Sequence, residues 1–179
     1  MVFNNDGEVI QQYAPGGSEF PVILGAAISE NGDYTACISG QKPQRFILAK
    51  KEKGMTKISY HEYLEADTNR QQIIKFSKKT DYCYFAHKDC LGVLDIKKGK
   101  TKHIPIKGTI LSICETGDQN EVFILSHEGE TYHVSLLQNN EIYTGKFSFK
   151  AQNAFITTKD NLLFVGKDSS ISCIKITKN

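Results

Sequence analysis

The feature that most constrains this chain is a recurring unit of alternating apolar strands and polar turns. The second strand of each unit opens on a turn residue and then turns apolar. These starts read Asp33-Tyr34-Thr35-Ala36-Cys37-Ile38, Asp81-Tyr82-Cys83-Tyr84-Phe85-Ala86, Asn120-Glu121-Val122-Phe123-Ile124-Leu125 and Asn161-Leu162-Leu163-Phe164-Val165-Gly166. A repeat of roughly 40 residues is one supersecondary unit that cannot bury its own apolar faces, so its neighbours must stack on it. The implied fold is all-β, an array of sheets rather than one continuous sheet.

Turn chemistry divides the chain. An N-terminal hairpin, residues 2–13, brackets Asn4-Asn5-Asp6-Gly7, and Asp-Gly between apolar stretches is a strong hairpin signal. Units follow at 22–64, 73–106, 110–149 and 153–179, with three or four strands each. Gly25-Ala26-Ala27 in the first unit is small enough for close strand approach. Thr56, Ile58 and Tyr60 alternate with Lys57, Ser59 and His61, which predicts one buried and one exposed face for that strand. Glu65 to Gln72 forms the longest polar connector and has room for one helical turn. No apolar stretch of helical length has a 3.6-residue period.

Two stretches carry a family resemblance. Ser29-Glu30-Asn31-Gly32-Asp33-Tyr34 is similar to the turn between the first two strands of many β-propeller blades. Leu91-Gly92-Val93-Leu94-Asp95-Ile96-Lys97-Lys98-Gly99-Lys100 resembles the third strand and following turn of WD-repeat and quinoprotein-like blades, with Leu94 where WD-repeat blades place Trp. The resemblance implies about four four-stranded antiparallel blades and a habit of making contacts. It implies no reaction. Neither Gly-His nor Trp-Asp occurs, so the WD-repeat hydrogen-bond network does not carry over, and no quinone motif is present. The strand pattern, two at the N-terminus, three units of four and a last unit of three, fits no closed four-bladed ring, and rings of seven or eight blades need about twice this length. The expectation is a partial ring, either a fragment of a larger propeller or an arc whose open blade edges pair with another copy.

The charge balance of 22 basic and 20 acidic side chains lacks the one-signed footprint of nucleic-acid binding. Lysines cluster at turns (Lys50-Lys51-Glu52-Lys53, Lys78-Lys79, Lys97-Lys98-Gly99-Lys100), where they solvate hairpin tips and guard sheet edges. The five cysteines are odd in number and irregularly spaced, and most sit inside strand patterns. Unpaired buried thiols point to a reducing, cytoplasmic compartment. No apolar run is long enough for membrane insertion by this segment. Met1-Val2-Phe3 reads as the middle of a strand, so an upstream targeting or membrane segment is expected in the parent chain.

The candidate chemistry is sparse. Cys83, His87 and Cys90 fall within eight residues, but three ligands at this spacing match no zinc motif. Walker, GxGxxG and Gly-x-Ser-x-Gly motifs are missing, so neither cofactor nor catalytic residue is assigned. His87 and His127 occupy equivalent turns of successive units and are candidates to line one rim. Tyr60, His61 and Tyr63 precede the long connector and form the candidate partner-contact stretch, because aromatic residues enrich interface cores. The function expected is a non-enzymatic protein-interaction or scaffold module with a protein partner. The alternatives are a propeller-based enzyme or small-ligand sensor with its site in the central channel, and a docking or sensory portion of a larger membrane-associated protein.

Overall fold

Alternating apolar residues, punctuated by turns built on Gly, Asp and Ser, produce β-strands throughout. The computed structural model describes residues 2–3, 9–11, 22–40, 43–65, 72–87, 89–115, 121–138, 141–159 and 162–175. A two-stranded sheet pairs β1 (Val2–Phe3) with β2 (Val9–Gln11). The first four-stranded sheet runs in order through β3 (Ile23–Ile28), β4 (Tyr34–Ser39), β5 (Arg45–Glu52) and β6 (Met55–Tyr63). The second holds β7 (Ile74–Phe76), β8 (Tyr82–His87), β9 (Cys90–Asp95) and β10 (Lys100–Pro105). The third holds β11 (Thr109–Glu115), β12 (Glu121–Glu128), β13 (Thr131–Gln138) and β14 (Glu141–Lys150). The last has three strands, β15 (Ala154–Lys159), β16 (Leu162–Lys167) and β17 (Ser170–Lys175). Strand number and order match the repeat read from sequence. The expected turn at 4–7 and the connector over 66–71 lie outside the described residues.

The chain divides into two compact units, Met1–Cys83 with Asp95–Lys100, and Tyr84–Leu94 with Thr101–Asn179. In the first, β4 and β5 are buried on both faces, and Ile38, Phe46, Leu48 and Ala49 are essentially inaccessible. The next sheet begins close to β3: the Gln72 N–H donates to the Leu24 carbonyl at 2.8 Å. That approach needs Gly25, because any Cβ there would meet the Gln72 carbonyl oxygen. The small residues of β3 therefore serve the close packing expected of them.

The same turn joins the first two strands of both the first and second sheets. The Ser29 N–H donates to the Tyr34 carbonyl and the Tyr34 N–H donates back to Ser29 Oγ, both at 2.9 Å. The Ser77 N–H donates to the Tyr82 carbonyl at 2.9 Å, and the Tyr82 N–H to Ser77 Oγ at 3.0 Å. Both serines are buried and Asp precedes each Tyr. Gly32 supplies the left-handed residue of the first turn (φ 73°), and Thr80 adopts it without glycine's freedom (φ 56°).

β6 departs from the sequence reading. The register shifts between Leu48 and Ala49, so Tyr60 opposes Leu48 whereas Ile58 opposes Ala49. Directly opposed residues share a face, so Ile58 and Tyr60 project to opposite faces. Ser59 is the extra residue, and its hydroxyl donates to the Leu48 carbonyl at 3.3 Å. The single alternating face expected from Thr56, Ile58 and Tyr60 is broken by this bulge, which inverts the alternation and leaves Ile58 51% exposed.

In the second unit, the third and fourth sheets enclose a core of Cys114, Phe123, Leu125, Tyr132, Val134, Leu136, Ile156 and Val165. Polar groups at its border are satisfied across the two sheets. The Cys114 thiol donates to the Ile156 carbonyl (3.2 Å) and the Thr158 hydroxyl to the Glu115 carbonyl (2.6 Å). The Tyr132 hydroxyl donates to the Gln152 carbonyl (3.1 Å). Two aromatic rings occupy the space at glycines of neighbouring strands, Phe85 at Gly92 and Phe155 at Gly166, leaving no room for a methyl group.

Core truncation and overcrowding have distinct expected effects. Leu125→Ala, at a fully buried position, is expected to lower unfolding free energy by about 2–5 kcal/mol. Gly25→Ala is expected to cost about 1–3 kcal/mol, through displacement of the Gln72 backbone. Urea denaturation followed by circular dichroism measures both.

Candidate contact surface

The expected contact stretch lies on β6, which among the described residues has a hydrogen-bonded neighbour on one side only. Strand alternation splits its aromatic residues. Tyr60 turns toward Phe46, with ring centroids 6.4 Å apart, and its hydroxyl donates to Glu62 Oε2 at 2.7 Å. His61 and Tyr63 project to the other face. Tyr63 is 62% exposed. The His61 ring stands edge-on to it at 6.2 Å, and the Arg45 guanidinium lies 5.9 Å from its centroid. Arg45 reaches Tyr63 because the two are opposed in the β5–β6 register. The bulge at Ser59 brings Ile58 onto this same face, so Ile58, His61 and Tyr63 form one exposed stripe, with the half-buried Arg45 of β5 beside it.

Arg45 and Ile58 were missed in the sequence. Arg45 needs the hairpin register, and Ile58 needs the bulge, which no turn residue announces.

The hairpin's carboxylates occupy the opposite face. Glu52 opposes Met55 and sits between Lys50 (3.2 Å) and Lys57 (3.9 Å). The Glu52 carboxylate beside Lys50 holds that ammonium above its ordinary pKa. Glu62, opposite Phe46, accepts the Tyr60 hydroxyl. On the Tyr63 face, β5 and β6 present Arg45 and Lys51 as their charged groups, and no carboxylate.

The two rim histidines are each absorbed by their own sheet. His87 is buried at the end of β8, its ring edge-on to His103 at 5.8 Å. His127, half-buried at the end of β12, lies 4.6 Å from the Tyr132 ring, which stacks on Phe149. Among the described residues no cluster of His, Cys, Asp or Glu has the arrangement of a metal site. Burial pushes the Cys37 thiol up to about 11 and raises Cys83 further, while Cys173 is exposed. No helix among the described residues is long and apolar enough to cross a membrane.

A family model described as a beta-propeller protein matches residues 1–179. The chain belongs to the β-propeller proteins. An uncharacterized protein of Treponema pallidum (strain Nichols) is 28% identical over 176 residues, which cover 98% of this chain and 47% of that one. The propeller chain thus spans about half the length of this curated relative. Among solved structures, Kuenenia stuttgartiensis hydrazine synthase is similar with a TM-score of 0.62 at 11% identity, over 93% of this chain and 49% of that chain. The WD40 repeats of RRP9 are similar with a TM-score of 0.59 at 10% identity, over 89% and 52%. At these identities the likenesses show the fold alone.

The buried thiols give a pH-dependent expectation. Cys37 has a raised pKa in the folded chain, so the folded state holds its proton over a range where the unfolded chain releases it. Stability is therefore expected to decline as pH rises from about 9 towards about 11, less steeply in Cys37→Ala. Denaturation midpoints across that range measure it. In a thiol-disulfide exchange assay of the native chain near neutral pH, Cys173 is expected to react while Cys37 and Cys83 stay protected until unfolding.

Proposed function

We propose that this chain acts as a non-enzymatic protein-interaction module of β-propeller type, with its principal contact surface on the outer strand β6. The observation that carries this reading is the exposed Tyr63, held by the Arg45 guanidinium and the edge of the His61 ring. Tyrosine and arginine are enriched among the residues that dominate interface energetics, and tyrosine buries much surface at a small cost in side-chain freedom. Here part of that cost is met in the free chain, since the three side chains already hold one another. Ile58 adds an apolar neighbour on the same face. Tyr60, engaged with Phe46 and Glu62, supports the strand from behind. His87 and His127 brace their own sheets, and His127 retains some exposed surface.

Quantitative affinity capture with the full-length protein tests this reading. The wild type is expected to retain a defined protein at a fixed molar ratio. Tyr63→Ala and Arg45→Ala are each expected to lower retention by about tenfold, the effect of losing one strong contact residue. Circular dichroism should show both variants folded. A failure to retain any protein in fixed ratio, or retention indifferent to both substitutions, would count against the proposal.

A further inference from the structure

The first and last sheets each expose one apolar face, and the two faces are complementary. We propose that two copies of this chain pair reciprocally, the open face of each first sheet (β3 to β6) packing on the open face of the other copy's last sheet (β15 to β17). This deepens the interaction reading above by naming a partner for the Tyr63 face, and it rests on that reading there.

The last sheet turns Ile156 and Val165 into the core it shares with the third sheet. Phe155, Phe164, Ile171 and Cys173 project to its other face, because successive residues of a strand face opposite ways. Ile171 is 68% exposed. Its equivalent in the third sheet is Val134, since Ile171 opposes Gly166 as Val134 opposes Leu125. Val134 is inaccessible, in the core shared with the last sheet. The first sheet is open on the converse side. Ala26 opposes Cys37 as Ile156 opposes Val165, and Ile28 lies on the Ala26 face. Ile156 is buried in that same core, whereas Ala26 is exposed and Ile28 is 44% exposed.

The last sheet therefore exposes the positions that the third sheet buries against it. The first sheet exposes the positions that the last sheet buries. Placed together, the two open faces repeat the sheet-to-sheet contact already present within the chain. That contact joins unlike faces, so a first sheet meets a last sheet and not another first sheet. Made in both directions it leaves neither face wet and closes on itself, where a single contact would leave two open faces and grow into a filament. Length agrees with two copies, because the chain spans about half of the solved chains it resembles.

Analytical ultracentrifugation of the full chain over a range of concentrations reads the pairing. The wild type is expected to sediment as a dimer that dissociates on dilution. Ile28→Lys and Ile171→Lys each place a charge in the contact, and each is expected to raise the dimer dissociation constant about tenfold or more. Both side chains are open in the single chain, so circular dichroism should show the variants folded. Ala26→Cys supplies a second measurement. A short bismaleimide is expected to join it to the native Cys173 of another copy, giving a double-length band on a denaturing gel, with the joined peptides identified by mass spectrometry. Adding Ile171→Lys is expected to remove that band.

A chain that stays monomeric, association indifferent to both lysines, or growth into species larger than a dimer overturns the proposal. So does joining of Ala26→Cys to itself, which would bring two first sheets together. A native polypeptide of greater length on a denaturing gel would cover these faces with its own further blades, and overturns the second copy as well. If the chain stays monomeric while capture of another protein still depends on Tyr63, the pairing falls and the interaction reading stands. If the dimer forms indifferent to Tyr63→Ala and Arg45→Ala, and no other protein is retained, the β6 reading falls and the sheet pairing stands.

Discussion

The structure depends on face-to-face burial between successive small sheets. A four-stranded sheet that is apolar on both faces cannot be stable alone, because one face would remain wet whichever way it turned. The core shared by the third and fourth sheets shows the solution. Phe123, Leu125, Val134 and Leu136 from one sheet meet Ile156 and Val165 from the other. Burial of each such side chain is worth about 1.5–3 kcal/mol relative to exposure. Hydrogen bonds fix the alignment. Once Cys114 and Thr158 have found backbone carbonyls across the two sheets, sliding one sheet past the other would strand those carbonyls without donors. Non-directional burial and directional bonding thus select one relative placement of these two sheets.

Close approach imposes a second condition, met by omitting side chains. Gly25 admits the Gln72 carbonyl, and Gly92 and Gly166 admit whole aromatic rings. A ring lying on a bare backbone covers peptide surface that a neighbouring side chain would otherwise shield. Phe155 keeps half its area exposed yet still protects the strand beneath it. At these three positions glycine is required for the space it leaves, since none carries the positive φ seen at Gly32 or Gly54.

Much of this was legible in the sequence, because its determinants are local. Strand period, turn residues and apolar starts each act within a few positions, so the four units and their strand order could be read directly. Turns were read at both places, but the likeness of the one after Ser77 to the one after Ser29 was not. Ser77-Lys78-Lys79-Thr80-Asp81-Tyr82 lacks the Asn-Gly pair that marks the first turn. The bonds come from the serine hydroxyl and backbone, with Thr80 forced into the conformation that glycine adopts freely. The aromatic composition of the contact stretch was also legible. Its division was not: Tyr60 and Tyr63 part because odd and even positions face opposite ways. Ile58 joins Tyr63 because Ser59 adds a residue without pairing. A bulge has no strong local signal, and the register that opposes Arg45 to Tyr63 belongs to the hairpin as a whole.

The same bulge bears on how an exposed edge strand is guarded. A long, regular edge with exposed apolar residues invites indiscriminate pairing. β6 resists this in two ways. Ser59 interrupts its regularity, and lysines at 50, 51, 53 and 57 repel another cationic hairpin. Because the bulge also places Ile58 beside His61 and Tyr63, the irregularity that deters random pairing assembles the apolar and aromatic part of the surface. Ser59 is what makes the edge irregular: with it removed, Ile58 and Tyr60 would become consecutive and alternate regularly, and Ile58 would stay opposite Ala49 on the Tyr63 face.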